Sequence, residues 1–324
     1  MIEFENIILN NKQFLDKAEE DLNGNSFLFE SQDEVLLNNF AYDFAKFLLC
    51  SGAKKPCNVC LNCQKVTLLS HPDLTIYPIG GRKNILTEDI KDLIEHIYLS
   101  PIETDKKVYV LQNFSSANTS AQNKLLKILE EPPKNVYIIL CVTNISKVLP
   151  TIISRTQRTR LNPLSDNDIK RCLDSINASS DDTILSLSGG NLTKAISHSD
   201  DEDFASMYRA VLSCIVDMKS SQELIKYSYN LSAFKGQTAT ILEIFESFYR
   251  DMLMLLLGKE NLTRNKKLLS EFQKVLPEYN GDSIDLIIKR IYEVKKQLDF
   301  NCNTNLLIDN LLLYILEVKF LCNR

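Results

Sequence analysis

Short apolar runs alternate with amphipathic helical patterns along the first half of the chain. The runs are rich in β-branched and aromatic residues. They lie at Ser26–Phe29, Leu74–Tyr77, Val108–Leu111 and Val136–Val142. The helical patterns between them cover about residues 33–50, 87–98 and 120–131. Because strands that are apolar on both faces are typical of parallel sheets covered by helices, this half is predicted to be an α/β domain.

The second half has the pattern of a helical region. Eight of the nine prolines lie at or before Pro163, and proline is excluded from helix interiors. Ser165 carries an N-cap signal that predicts a helix start, and short helical patterns continue to about Ser199. Long helical patterns follow from about Phe204. The last of them has an apolar stripe formed by Leu306, Leu307, Leu311, Leu312 and Ile315.

The acidic stretch Ser199–Asp203 separates the short helical patterns from the long ones. We therefore predict three parts: an α/β domain over residues 1–163, a small helical domain over 164–203 and an all-α domain over 204–324. A chain of 324 residues with 44% apolar residues has room for two or three such domains.

Charge and segment composition limit the functions that the chain can have. The net charge is 37 − 42 = −5, which argues against a strongly basic protein that coats DNA. No apolar run approaches the roughly 18–20 residues of a membrane span. The start, Met1–Glu5, lacks the basic and apolar regions of a signal peptide, so we expect none and predict a cytoplasmic location.

Four of the nine cysteines lie within fourteen residues, at Cys50, Cys57, Cys60 and Cys63. Zinc prefers four thiolates in a tetrahedron, so this spacing predicts a structural zinc site without an open position for water. Buried or redox-active thiols are the alternative. His71 lies close enough to compete as a ligand, but a His-Pro-Asp turn before a strand is favoured. The scattered cysteines are expected to be buried thiols, namely Cys141, Cys172, Cys214, Cys302 and Cys322.

Several stretches together resemble the clamp-loader branch of the AAA+ proteins, over about residues 10–195. They are Phe27–Cys50 with the cysteine cluster, His71–Asp73, Lys107–Leu111, Asn123–Pro133 and Leu149–Thr156. The family forms the five-subunit clamp loader of bacterial DNA polymerase III, which loads a sliding clamp onto primed DNA with ATP bound between subunits. The resemblance implies an AAA+-type α/β domain with a zinc module inserted at about residues 50–63, a helical lid and a helical collar.

The phosphate-binding residues of the family's motor subunits are replaced in this chain. Their motif is G-x-x-x-x-G-K-[ST], in which backbone amides and a lysine hold the phosphates. The matching positions are Ser31, Leu36, Leu37 and Asn38. Ser31 and Glu34 match a capping box, so Ser31 is expected to cap the next helix. Asp33 and Glu34 are expected to bring negative charge to the place of a phosphate.

The second nucleotide motif is also altered. Gln112-Asn113 stands where the motor subunits have Asp-Glu, and a neutral amide cannot serve as a general base. The sensor region keeps Thr143-Asn144, but Thr193 takes the place of the second sensor arginine. The resemblance therefore implies a degenerate site with no intrinsic ATPase activity and no bound ATP.

Ser154-Arg155-Thr156 is kept, with threonine where the family usually has cysteine. In the family this arginine is a finger that reaches the nucleotide held by the neighbouring subunit. The planar, permanent charge of arginine suits a transferring phosphoryl group. The resemblance implies a catalytic contribution in trans by Arg155, with Ser154 beside it. The alternative is a surface arginine in a salt bridge.

Segment Asn123–Pro133 contains both core and surface positions. Its apolar residues have core spacing and are Leu125, Leu126, Ile128 and Leu129. Its charged residues are expected on the exposed side or at the helix end, and are Lys124, Lys127, Glu130 and Glu131. They fit either interface salt bridges or a solvated face.

The implied partners are the motor (tau/gamma) subunits and the clamp-opening delta subunit. The sliding clamp and primed DNA would be reached through the assembled complex, and no membrane partner is expected. Two alternative functions are an active clamp-loader ATPase motor and a free-standing zinc-containing DNA-binding protein. The replaced phosphate loop argues against the first, and the net charge of −5 does not favour the second. The short basic patches fit a solvated surface, and lie at Lys54-Lys55, Arg82-Lys83 and Arg264–Lys267.

Overall fold

The structure is a computed structural model that describes residues 24–298, 300 and 302–322, without the side chain of Cys322. The expectations for the first five residues and for the burial of Cys322 lie outside the described residues. The described residues form two compact units, one up to Ala178 with Gly190–Ile196, the other Ser179–Gly189 with Ser197 onward. The division at residues 163 and 203 remains a prediction.

A five-stranded parallel sheet is the centre of the first unit. Its strands are β1 (Ser26–Glu30), β2 (Leu74–Tyr77), β3 (Lys107–Leu111), β4 (Val136–Val142) and β5 (Gln157–Arg160). Their order is β2-β3-β4-β1-β5, with all neighbours parallel. The four apolar strands are confirmed to within one residue. The polar strand β5 was not predicted, because an edge strand does not need to be apolar on both faces.

Helices cover this sheet, as the alternating pattern predicts. They are α1 (Glu34–Leu49), α2 (Leu61–Thr67), α3 (Thr87–His96), α4 (Thr119–Glu130), α5 (Pro150–Ile153) and α6 (Asp166–Ser175). Aromatic rings join α1 to β1: Phe44 lies 4.8 Å from Phe27, and Phe40 lies 4.9 Å from Phe29, both edge-on. Such contacts between fully buried rings hold the start of α1 at the end of β1. Ser165 caps α6 as predicted, accepting from the amide of Asp168.

The second unit is helical, as the scarcity of proline indicates. Helix α7 is Asp182–Ser188, and α8 (Leu192–Ser199) begins in the first unit and ends in the second. The others are α9 (Phe204–Asp217), α10 (Ser221–Ser232), α11 (Thr238–Leu256), α12 (Leu269–Val275), α13 (Gly281–Leu298) and α14 (Thr304–Cys322). Short 3-10 helices occur in both units. Those of the first unit are Ile79–Gly81, Phe114–Ser116 and Ile145–Lys147, and those of the second are Glu260–Leu262, Lys266–Leu268 and Leu276–Glu278.

Most of the predicted burial in this unit is confirmed. Four members of the α14 stripe are buried: Leu307, Leu311, Leu312 and Ile315. Leu306 is 58% exposed, so its assignment to the stripe was wrong; it lies in the first turn of the helix, beyond the packed face.

Cys141, Cys172 and Cys214 are buried as expected. The prediction for Cys302 was wrong, because this residue is exposed in the link before α14.

Every helix in the described part of the chain is too short or too polar for a bilayer crossing.

A buried polar network ties three helices of the second unit to a loop. Asp251 of α11 is fully buried, and its carboxylate accepts from the backbone amides of Arg264 and Asn265. The side-chain amide of Asn265 donates to the same carboxylate, and its oxygen accepts from Ser186 of α7 and Tyr208 of α9. Since every one of these buried groups has a partner, the network stabilises a single arrangement of the helices.

Candidate functional site

The residues that match the nucleotide motifs of the resembled family follow the carboxyl ends of β1, β3 and β4. Ligands of open α/β sheets bind at this edge, where the strand order reverses. Strands β2, β3 and β4 follow one another across the sheet in chain order, but β1 comes after β4. The order therefore breaks between β4 and β1. The amide of Ser31 donates to Val142 O at 3.1 Å, so the two strand ends are joined directly.

Asp33 occupies the start of α1 at this edge. Its side chain is 4% exposed, and one carboxylate oxygen accepts from the amide of Leu36 at 3.1 Å, which makes Asp33 the N-cap. The other oxygen accepts from the amide of Leu192 at 2.5 Å. Thr193 adds its amide at 3.2 Å and its hydroxyl at 2.8 Å.

The Asp33 carboxylate thus lies between the N-termini of α1 and α8. Free amides and positive dipole ends make a helix N-terminus a binding place for anions. Here the carboxylate of Asp33 accepts hydrogen bonds from backbone amides at the N-termini of both helices. The hydroxyl of Thr193 also accepts from the amide of Val35 at 2.9 Å, which adds a second link between the helix starts. Negative charge at this place was predicted, but the link across 160 residues was not.

The predicted capping box was wrong. Ser31 does not cap α1; its hydroxyl accepts from the amide of Asp33 at 3.1 Å, within the turn before the helix. Glu34 is the first residue of α1 and is exposed. A serine hydroxyl readily accepts a hydrogen bond from the amide two residues further along the chain. Ser31 therefore stabilises the turn, and Asp33 is the N-cap of α1.

The other phosphate-loop positions face the core. Leu36 and Leu37 are both fully buried, so neither position can present a charged group to a phosphate. Asn38 is half-buried, and its side-chain oxygen has no hydrogen-bond partner among the described residues. The second glycine position and the lysine position of the motif are therefore packing positions of α1.

Gln112 and Asn113 follow β3 at the same edge, where the sequence places them. Gln112 donates from its side chain to the hydroxyl of Tyr42 in α1. Asn113 takes a left-handed backbone conformation, with φ of 45°, and its side chain donates to Lys83 O at 2.9 Å. Both amides are thus committed to contacts within the chain.

The sensor segment after β4 is held by a serine that the sequence analysis missed. Ser115 is buried, and its hydroxyl accepts from the amides of Thr143 and Asn144, both at 3.0 Å. A lone serine after the Gln-Asn pair carries no recognisable signal, because its role depends on backbone amides that lie 28 and 29 residues away, after β4.

Replacing Asp33 with alanine is expected to lower the free energy of unfolding by about 2–4 kcal/mol. The change removes the α1 cap and leaves the buried amides of Leu192 and Thr193 without an acceptor. Chemical denaturation would measure the effect. Glu34→Ala is the matched control, because Glu34 is an exposed neighbour and should change stability by less than about 0.5 kcal/mol. Equal effects of the two variants would contradict the assigned role of Asp33.

The four clustered cysteines converge on one point. Their Sγ atoms all lie within 4.8 Å of one another, and Cys50–Cys60 and Cys57–Cys63 are 4.0 Å apart. A disulfide requires about 2.05 Å between sulfurs. A tetrahedral zinc with Zn–S bonds of about 2.3 Å places its sulfurs about 3.8 Å apart. The arrangement therefore fits a metal ion and not a pair of disulfides.

Backbone amides surround these sulfurs. Cys50 Sγ accepts from the amides of Gly52 at 3.3 Å and Cys57 at 3.4 Å, and Cys57 Sγ accepts from the amide of Cys60 at 3.4 Å. A Cβ atom on Gly52 would lie 2.8 Å from Cys57 Cβ, so only glycine allows this close approach. Amide donors favour thiolates, which are the form that binds metal.

The pKa values of Cys57, Cys60 and Cys63 follow from burial and from these amide contacts. Backbone amides lower the pKa of Cys57. Burial acts to raise the pKa of Cys60, but the amides of Cys63 and Ser51 outweigh it and lower the pKa to about 5. Burial raises the pKa of Cys63. A metal ion that binds Cys63 would therefore have to displace a proton from it.

His71 lies outside the four-thiol group and forms the predicted turn before β2. Its Nδ1 accepts from the amide of Asp73 at 3.1 Å. The carboxylate of Asp73 accepts from the backbone amides of residues 102–104. Burial acts to raise the pKa of Asp73, but these amides outweigh it, so the pKa is lowered. The turn therefore anchors the loop before β3.

Arg155 lies on the surface between α5 and β5. Residues Phe27 and Gln157 are paired at the amino ends of β1 and β5, so Arg155 is at the sheet edge opposite Asp33. Its Nε and Nη2 donate to one oxygen of Glu130, at 2.9 and 2.6 Å, and its Nη1 donates to Thr151 O at 2.9 Å. The side chain of Ser154 is exposed and accepts from Arg155 Nη1 at 3.4 Å.

The charged and apolar positions of the α4 segment follow the predicted pattern. Leu125, Ile128 and Leu129 are buried, whereas Leu126 is partly buried against the same core. Lys127, Glu130 and Glu131 are exposed, and Lys124 is half-buried. The pairing of Glu130 with Arg155 was missed, because nothing in the sequence joins residues 25 positions apart.

Two of the three basic patches have an acidic partner. Arg82 contacts Asp89 at 2.6 Å, and Lys267 contacts Asp182 at 2.7 Å. Partly neutralised cations of this kind fit a solvated surface better than a DNA-binding stripe.

Comparisons with known proteins agree with the resemblance. A family model described as DNA polymerase III, delta subunit, matches residues 10–165. The DNA polymerase III subunit delta' of Bacillus subtilis strain 168 is 26% identical over 94% of this chain and 95% of its own length. The tau subunit of Escherichia coli K12 is 31% identical over 47% of this chain and 24% of its own length.

Two solved structures are also similar. A gamma subunit-related protein of DNA polymerase III from Thermotoga maritima has a TM-score of 0.48 and 17% identity, covering 95% of this chain and 99% of its own. The Bacillus subtilis clamp loader delta protein has a TM-score of 0.36 and 11% identity, covering 94% and 99%.

The parallel sheet agrees with the α/β domain that the resemblance implies, and the sequence matches are to subunits of DNA polymerase III. The family match covers the α/β part, and the match to the delta' subunit extends through the helical part. The chain is therefore similar to subunits of DNA polymerase III, over residues 10–165 by the family model and over 94% of its length by the delta' subunit.

Proposed function

We propose that this chain is the ring member of a clamp loader that does not hydrolyse ATP and that lends Arg155 to the ATP held by a neighbouring subunit. The observation that carries the proposal is the Asp33 carboxylate between the N-termini of α1 and α8. A phosphate at this place would meet a buried carboxylate, and like charges repel strongly where little water screens them. The buried Leu36 and Leu37 and the neutral Gln112 and Asn113 support the same reading.

Arg155 supports the second half of the proposal. It lies at the sheet edge opposite the chain's own degenerate site, and it is on the surface. A surface guanidinium whose contact with Glu130 opens can reach another subunit, where its planar donors would stabilise the charge on a transferring phosphoryl group. The partners would be the motor (tau/gamma) subunits that hold ATP and the clamp-opening delta subunit, and the assembled ring would load the sliding clamp onto primed DNA in the cytoplasm.

The four-cysteine cluster would hold zinc in a structural role. All four positions of a tetrahedron would be taken by sulfur, so no position would remain for a reacting water. The ion would hold the segment between α1 and α2 in its fold.

The isolated chain is expected to bind no ATP in a saturable way and to hydrolyse none. Titration with a fluorescent ATP analogue and Mg²⁺ would measure binding, and phosphate release would measure hydrolysis. A tau or gamma subunit assayed in parallel serves as the positive control. Stoichiometric binding or measurable hydrolysis by the isolated chain would favour the active motor and contradict the proposal.

A further inference from the structure

Arg155 is held by an acidic residue of its own chain. Glu130 is the last residue of α4, and its Oε1 accepts from both Nε and Nη2 of Arg155. Nη1 is occupied by Thr151 O and the hydroxyl of Ser154. Arginine has five N–H groups, and these contacts use four of them, leaving one on Nη2.

The contact with Glu130 uses the same edge of the guanidinium that best recognises phosphate. Nε and Nη2 form the parallel pair of donors through which arginine binds a carboxylate or a phosphate. Arg155 therefore cannot present this edge to a neighbour's nucleotide while Glu130 holds it. A carboxylate beside the guanidinium would also repel the approaching phosphates.

The pair is weak enough to open. The side chains of Arg155 and Glu130 are 34% and 49% exposed, and ion pairs of this kind bias an equilibrium by a factor of about five at most. A nucleotide with bound metal, placed by an assembled ring, offers more charge than one carboxylate and can displace it.

We propose that Glu130 is a positioning residue that retains Arg155 against its own chain and so lowers ATP hydrolysis by the neighbouring subunit until the ring brings the nucleotide to the finger. The inference rests on the proposed function of Arg155. Glu130 would lower the basal ATPase rate of the ring, measured without clamp or DNA. It would not lower the rate stimulated by clamp and DNA.

The test uses the complete complex, reconstituted with its motor and clamp-opening subunits, and compares Glu130→Gln with wild type. Basal ATPase, without clamp or DNA, is expected to rise about two- to five-fold, because the amide keeps the shape but loses the charge. The clamp- and DNA-stimulated rate should stay within about two-fold. A combined Glu130→Gln and Arg155→Ala complex should behave like Arg155→Ala alone, which a merely structural role of Glu130 would not produce.

Glu131→Gln is the matched control. Glu131 is the exposed next residue, it carries the same charge, and its change should leave the basal rate as in wild type. Unchanged melting temperatures of both variants would show that folding is intact. A basal rate that is unchanged or lower in Glu130→Gln, while Arg155→Ala still reduces turnover, would overturn this inference alone. If Arg155→Ala leaves turnover unchanged, the proposed function itself fails.

Discussion

Replacing Arg155 with alanine is expected to lower the clamp- and DNA-stimulated ATPase of the reconstituted ring by about ten-fold or more. An arginine that contacts the transferring phosphoryl group is worth far more than this in other phosphoryl-transfer enzymes, so ten-fold is a conservative threshold. The isolated variant should fold normally, because Arg155 is on the surface and its contact with Glu130 is a partly exposed ion pair. Steady-state phosphate release at saturating ATP would measure the change.

Arg158→Ala is the control for a general loss of surface charge. Arg158 is an exposed arginine three residues further on, paired with Glu30 at 2.6 Å, and it should leave ring turnover nearly unchanged. Arg155→Lys separates charge from geometry, since lysine keeps the charge but lacks the planar pair of donors. Equal turnover for wild type and Arg155→Ala would reduce Arg155 to a surface residue and this chain to a scaffold.

Loss of the metal from the cysteine cluster is expected to unfold the segment between α1 and α2 and to lower stability by several kcal/mol. The segment Ser51–Cys60 has no helix or strand of its own, so little besides sulfur–metal bonds would hold its fold. Cys63→Ser should reduce bound zinc from one ion per chain to nearly none. Metal analysis, thermal melting with and without a chelator, and limited proteolysis within residues 51–60 would measure these effects.

Cys302→Ser is the matched control for the loss of a thiol. Cys302 is exposed and lies outside the cluster, so its change should leave metal content and melting temperature as in wild type. Wild-type chain without metal, or melting that a chelator does not change, would count against the zinc site. Because four thiolates leave no position for a reacting water, loss of zinc should act through stability and not through chemistry.

The sequence by itself determined those features that depend on local periodicity and short spacing. Runs such as Val136–Val142 are apolar at every position, and such a run can be buried only in the middle of a covered sheet. The cysteine cluster was equally clear, because four thiols within fourteen residues can reach one ion from a single loop. The motif around Arg155 identified the family's finger position, although its role in this chain remains a proposal.

The tertiary structure decided the features that depend on residues far apart in the chain. Strand β5 is polar and gains its place from pairing with β1, so no hydrophobic pattern could predict it. Ser31 and Asp33 both have the chemistry of an N-cap, and only the amides of Leu192 and Thr193, folded over from 160 residues away, favour Asp33.

Exposure and charge pairing were decided in the same way. Leu306 and Cys302 are apolar or weakly polar residues, but packing ends before it reaches them, so both remain in solvent. Glu130 and Arg155 meet because the end of α4 and the start of β5 lie at the same edge of the sheet. Local sequence specifies which elements form and what chemistry they carry, whereas long-range packing specifies which groups share a buried contact, because that depends on where the whole chain folds back.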